Sequence, residues 1–147
     1  MSVTSSLYIT VSGVSSVCEL LTVLQKCGWT WRNPANRIEF VPPHDGDAFD
    51  WVDESMTDAE FFAMLRKKEE LHETAAAELY HAGDDVGVTL LTEDAAHFAF
   101  MLNCNRVKRT DSHRMGATDV NWYIAEIVWK LQEQGVTVQA LQFEEIG

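Results

Sequence analysis

An α+β fold in a single domain spanning residues 1–147 is what this sequence predicts, on three observations. Three segments carry helical apolar spacing behind capping residues. Several others alternate β-branched or aromatic residues with polar ones, as half-buried strands do. Nothing between them has the composition of a domain linker, a repeat or a low-complexity tract. The predicted order is β-α-β-α-β-β-α-β, with roughly four or five strands in a mixed sheet packed by three helices. A mixed sheet is expected because a hairpin is antiparallel while helical crossovers allow parallel neighbours.

The elements follow in order. Leu7 to Ser12 alternates and reads as a strand, and Gly13 breaks it. Ser16-Val17-Cys18-Glu19 has capping-box spacing, and Val17, Leu20, Leu21 and Leu24 follow on one helical face up to Gly28. After Trp29-Thr30-Trp31, the run Asn33-Pro34-Ala35-Asn36 supplies turn chemistry. Arg37 to Val41 reads as a short strand whose core-facing or edge positions are Ile38 and, as an open alternative, Phe40. Pro42-Pro43 stops it, since proline cannot donate to a sheet ladder. Thr57-Asp58-Ala59-Glu60 is a second capping box, and its helix is expected to continue through Leu71, Ala75 and Leu79 to Gly83, with a break near His72. Val86 to Thr92 and His97 to Asn103 form a hairpin of central strands across Glu93-Asp94-Ala95-Ala96. Thr118 or Asp119 caps a last helix whose stripe is Val120, Ile124, Ile127, Val128 and Leu131. Gly135 closes it, and Val136 to Phe143 is the final strand.

Composition narrows the function classes. The apolar share (46%) and charged share (23%) are ordinary, but the net charge of −12 is not. Such a field favours basic partners and opposes nucleic acid and anionic membranes; it also serves solubility alone. The basic stretch Arg106 to Arg114 is expected to pair with the protein's own acids or to lie on a separate face, and direct nucleic-acid contact is not expected. Cys18, Cys27 and Cys104 are odd in number and lack Cys-x-x-Cys spacing, which points to reduced thiols and a cytoplasmic setting. No secretory signal or membrane span is expected from the apolar runs.

The acidic stretch from His44 to Phe62 holds seven carboxylates and neither Lys nor Arg. Asp45-x-Asp47 begins like a calcium loop. The next ligand would then fall on Phe49, the turn glycine on Asp50 and the bidentate glutamate on Met56, so an EF-hand is excluded. The five histidines lack zinc-ligand spacing, and no nucleophile elbow, P-loop or dinucleotide fingerprint occurs. No catalytic residue, metal ligand or cofactor is therefore assigned. Asp58 and Glu60 belong to helix capping. What remains for function is a proline-stiffened exposed loop in which Asp45, Asp47, Phe49, Asp50, Trp51, Asp53 and Glu54 are the candidate partner-binding residues. Trp51, set among acids, either folds back as a plug or stands ready as an interface anchor.

Asp47 with Phe49-Asp50-Trp51, Thr57-Asp58-Ala59-Glu60, Val86-Gly87-Val88-Thr89-Leu90 with its hairpin, and Thr118-Asp119-Val120-Asn121-Trp122 together give the chain a resemblance. It resembles the immunity proteins of bacterial polymorphic-toxin systems, including those of contact-dependent growth inhibition. The resemblance implies a cytoplasmic, single-domain protein, a monomer or weak dimer when free, that binds a cognate toxin domain and blocks its active site or substrate access. Many such toxins are basic nucleases, which would account for the acidic charge. Two other readings stay open. One is a small metal-dependent hydrolase using the Asp45–Asp53 carboxylates. The other is an acidic secretion chaperone or adaptor.

Overall fold

The structure, a computed structural model, describes residues 3–110 and 116–147. Strand β1 (Thr4–Ser12) turns Ser5, Leu7, Ile9 and Val11 to one side, all buried, and exposed Tyr8 to the other. Helix α1 (Val17–Lys26) starts at Ser16, whose hydroxyl accepts from the Glu19 N–H. The Glu19 carboxylate reaches back one residue further than expected, to the Ser15 N–H. Val17, Leu20, Leu21 and Leu24 are buried, as their spacing predicts. Then come β2 (Trp29–Thr30), β3 (Ile38–Phe40), β4 (Val52–Glu54), α2 (Asp58–Glu70), β5 (Ala75–His81), β6 (Gly87–Thr92) and β7 (His97–Cys104). A last helix, α3, runs through α-helical Val120–Tyr123, π-helical Ile124–Trp129 and α-helical Lys130–Glu133, and β8 (Thr137–Ile146) ends the order.

The strands form one sheet of eight, in the order β4-β3-β5-β6-β7-β1-β8, with β2 also pairing β5. Every pairing between named strands is antiparallel. The α+β class and three helices agree with the sequence; the mixed sheet of four or five strands does not. The main cause is β5. Helix α2 stops at Glu70, His72 takes a φ of 55°, and the Ala75–His81 segment is a strand instead of more helix. Alanine's helix preference is a weak prior that packing overrides. Here Ala75, Ala77 and Leu79 are buried toward the core while Glu78 and Tyr80 point to the opposite face. With β5 in place, β5-β6-β7 is a meander, and the sheet extends on both sides by antiparallel addition.

All three helices pack on one side. Their apolar residues share a single core cluster with Leu7, Ile9, Ala77, Leu79, Leu90, Phe98 and Phe100. Among the described residues the opposite side of the sheet carries no helix. Its second row, Ala76–Leu91–Ala99–Tyr8–Gln142, runs straight across the strands.

Helix α3 departs from the predicted stripe. Ile127, Val128 and Leu131 are buried, but Val120 and Ile124 are only partly so, and Tyr123 is fully buried instead. A π segment takes more than 3.6 residues per turn and so rotates the face that meets the core. The Trp29 indole N–H donates to the Glu126 carbonyl within that segment at 3.0 Å. The His81 ring sits beside it, with Nδ1 2.8 Å from Asp84 and Nε2 3.0 Å from Glu126, and forms a three-ring cluster with Trp29 and Trp122, which also contact each other. The Tyr123 hydroxyl accepts from the Val107 N–H. Trp129, by contrast, is 54% exposed.

In the basic stretch, Arg106 donates to Thr118 at 2.7 Å and lies 3.8 Å from Glu145, so it does pair with the chain's own polar groups. Asp111, His113 and Arg114 lie outside the described residues. Cys18 and Cys27 are buried, Cys104 is partly buried, and all three are free thiols. Among the described residues no helix is long and apolar enough to cross a membrane.

Candidate functional site

The chain leaves β3 through Pro42-Pro43 and immediately coils tightly. His44, Gly46, Asp47 and Phe49 have φ values of 69°, 61°, 58° and 56°, all left-handed. Histidine and aspartate tolerate that region; for a bulky phenylalanine it is an outlier that neighbours must hold in place. The holding groups are carboxylates. Asp45 accepts from the N–H groups of Asp47 and Phe49 at 3.1 and 3.0 Å. Glu73, just past α2, accepts from His44 at 2.8 Å, and Asp47 accepts from the Thr74 N–H at 2.8 Å.

At the centre of this anchor is Lys68 of α2, which is completely buried. Its ammonium lies 2.9 Å from Asp45 and 3.7 Å from Glu73. Burial raises the Asp45 carboxyl, but the hydrogen bond and charge of Lys68, with the two backbone N–H groups, outweigh it and hold the group below the usual range. The fully exposed acidic loop expected from the sequence is therefore corrected in part. The Asp45 side chain is only 3% exposed and belongs to the fold, not to a contact surface. Lys68, whose role periodicity could not show, is the counter-ion of an acidic loop more than twenty residues earlier in the chain.

The remaining candidates divide. Asp47 is exposed but already ties the loop to Thr74. Val52–Glu54 is strand β4, which pairs with β3 at the sheet edge and so lies outside any loop. Asp53 there accepts from the Arg37 Nε–H at 3.0 Å, while Asp50 and Glu54 are exposed. Phe49 and Trp51 are 44% and 40% exposed. The two side chains border different depressions on the helix-free side of the sheet.

The larger depression, about 590 Å³, has Leu91 and Ala99 in its floor and Tyr8 and Phe49 along its margins. The smaller, about 330 Å³, is bounded by Trp51, Asp53, Glu39 and Glu78. Here the row Asp53–Glu39–Glu78–Thr89–Met101 crosses neighbouring strands. Glu39 accepts from the Tyr80 hydroxyl at 2.7 Å and Glu78 from the Thr89 hydroxyl at 2.6 Å. Burial pushes the Glu78 carboxyl up; the Thr89 hydrogen bond pulls it down, and the Glu39 charge adds to the rise. Sequence reasoning missed this half of the site. Glu39 and Glu78 are isolated acids along the chain and become neighbours only through the β3–β5 pairing.

Acid lability follows from the anchors. Asp45 is depressed as described. Asp58 is held down first by the Trp31 indole N–H and then by Arg32, which together outweigh its burial. Glu126 is held down first by Lys130, against burial, and then by His81. Glu145 is raised by burial but lowered more by Thr118, Ser5 and Arg106. A carboxyl depressed in the folded state stabilises it above the unfolded value of about 4, and that contribution is lost as pH falls through the folded value. Glu78 has the opposite sign, favouring the folded state where it is protonated. Glu19, held down by Ser15, and Asp94, raised by burial but lowered more by the Ala96 and His97 N–H groups and the His97 ring, have the same sign as the first four. Six depressed carboxyls against one raised predict that the urea midpoint is steady near neutrality and drops steeply below pH ~4. A midpoint that holds or rises on acidification would contradict the anchoring role.

The Asp45, Asp47 and Asp53 carboxylates turn to Lys68, Thr74 and Arg37 and do not converge on one point. Among the described residues, no group of three or more His, Cys, Asp or Glu is placed to hold a metal ion. The arrangement presents exposed aromatic rings and carboxylates on the side of the sheet opposite the helices. No protein-family description matches the chain, and comparison with curated proteins and with solved structures gives no significant match.

Proposed function

We propose that this chain binds and neutralises a basic protein, as an immunity protein does for its cognate toxin domain. The toxin is taken to be a nuclease, and the chain to act in the cytoplasm as a monomer or weak dimer when free. The observation that carries this reading is the placement of Phe49 and Trp51, two exposed aromatics, over the open sheet face and among carboxylates. Aromatics at such positions are the residues that anchor interfaces, and the −12 net charge steers a basic partner toward them. The acidic surface would take up the Lys and Arg side chains with which a nuclease grips phosphate.

The test is co-expression with the C-terminal domain of a large secreted protein encoded immediately upstream. Cells making that domain are expected to grow only when this chain is present. Reversing Asp50 and Glu54 to lysine, exposed acids that spare the Asp45 anchor, is expected to slow association about tenfold at low salt and flatten its salt dependence. Absence of protection, or a neighbourhood of metabolic genes with no such secreted protein, would remove the reading.

A further inference from the structure

We infer that the larger depression is a receptor for an extended, arginine-bearing segment of the basic partner. This deepens the proposed function and rests on it for the identity of the partner. The chemistry of the depression is mixed in a specific way. Its floor, Leu91 and Ala99, is apolar; Tyr8 of β1 and Phe49 of the acidic loop border it; and Glu93 and Asp94 of the β6–β7 turn stand at its rim. Among the described residues neither lysine nor arginine borders it. His97 also borders it, with Nδ1 3.0 Å from Asp94; the Asp94 carboxylate accepts from the Ala96 and His97 N–H groups as well, which leaves the exposed Glu93 to meet an incoming cation.

Apolar floor, aromatic margin and carboxylate rim match the parts of one side chain. An arginine lays its aliphatic stem on leucine and alanine, stacks its flat guanidinium on an aromatic ring and pairs its N–H fork with a carboxylate. A lysine ammonium is compact and strongly hydrated, and meets the same surroundings with a larger desolvation penalty and no planar stacking. At about 590 Å³ the depression is also in the range of clefts that hold whole ligands, roughly 300–1,000 Å³, and exceeds one side chain. Its floor row crosses β6, β7 and β1, so the segment lies across the strands, with its arginine between Tyr8 and Phe49.

This assigns a purpose to the costly geometry of the loop. Asp45, clamped by Lys68, accepts from the Phe49 N–H and fixes a left-handed phenylalanine at the margin of the depression. Without that residue the depression has an aromatic ring on the Tyr8 side alone. The loop thus acts as scaffold for a cleft as well as a source of charge.

The experiment titrates the isotope-labelled full chain with the blocked tripeptide Gly-Arg-Gly and follows backbone amide shifts. Its lysine and citrulline counterparts are controls, citrulline keeping the shape and losing the charge. Saturable shifts centred on Tyr8, Leu91, Ala99 and Asp94 are expected for the arginine peptide, weaker ones for lysine and none for citrulline. Tyr8→Ala and Phe49→Ala are each expected to weaken binding about three- to fivefold, while Trp129→Ala, an exposed aromatic on α3 that borders neither depression, leaves it unchanged. The spectrum of each variant reports at once whether it is folded. Shifts of equal size for arginine and lysine, shifts spread over all exposed acids, or no saturable shift at millimolar peptide would overturn the assignment. The two readings fail separately. Neutralisation of a toxin that is insensitive to Tyr8→Ala would sink the cleft and leave the function; saturation at the cleft without any protected toxin would do the reverse.

Discussion

Replacing Lys68 with methionine is expected to cost about 3 kcal/mol of folding stability. Methionine fills most of the volume, so the loss is electrostatic. Lys68 is 0% exposed, and its removal leaves Asp45 and Glu73, with side chains 3% and 13% exposed, facing each other without a cation. The damage should reach the site. The Asp45 carboxylate is then repelled from the place where it accepts from Asp47 and Phe49, and Phe49 loses its anchor. Urea unfolding of Lys68→Met measures the stability. Hydrogen exchange at the Phe49 and Thr74 amides, protected by Asp45 and Asp47, reads the loop. The double variant with Asp45→Asn should recover part of the loss, because the unpaired charge is gone while one acceptor oxygen remains. A single variant within about 0.5 kcal/mol of the parent, the size of an ordinary surface change, would mean that the pair is dispensable.

Trp51→Ala and Phe49→Ala should each weaken binding of the cognate toxin domain by about 2 kcal/mol, roughly thirtyfold. Stability should barely move, because both side chains are exposed and their removal opens no core cavity. The separation of the two effects is what matters. Lys68→Met perturbs affinity through folding, whereas the aromatic truncations act on affinity at constant urea midpoint. Calorimetry with the purified toxin domain supplies the affinities. If both variants bind as tightly as the parent, the aromatic pair is not the anchor, and the charged edge at Asp50 and Glu54 would have to bind alone.

The candidate stretch was legible in the sequence because it is local. Seven acids without a base, stopped by Pro42-Pro43 on one side and a capping box on the other, stand out in a window of nineteen residues, His44 to Phe62. The capping box itself is complete, with Thr57 and Glu60 each satisfying the other's backbone. The roles within the stretch were not legible. Asp45 and Asp50 are the same residue type five positions apart, yet the first is walled in by Lys68 and the second is exposed. Lys68 falls at i+7 from Phe61 and i+3 from Leu65, on the buried face of α2, whereas Lys67 is exposed and 3.5 Å from Glu70; nothing local, however, names Asp45 as the partner of that buried lysine.

Strand β5 shows the same division. Thr74-Ala75-Ala76-Ala77 has helical propensity, and a propensity acts on one residue at a time. Placed between β3 and β6, small side chains suit a strand with close packing on both faces, since Ala75, Ala76 and Ala77 are all buried. That pairing also creates the Glu39–Glu78 neighbourhood and, with it, half of the open face.

The sequence by itself determined what depends on neighbours along the chain: the caps of α1 and α2, the β6–β7 hairpin, the core faces of β1 and α1, and the location of the acidic stretch with its two aromatics. Tertiary structure decided what depends on strand pairing and long-range charge: eight antiparallel strands in place of a mixed sheet, helices confined to one side, and Asp45 withdrawn onto Lys68. It also set Phe49 and Trp51 over two depressions whose floors come from other strands. The physical reason is that capping and periodicity act over a few residues, whereas a buried ion pair and a sheet register are contacts between distant segments. Their energies exist only once the chain has folded.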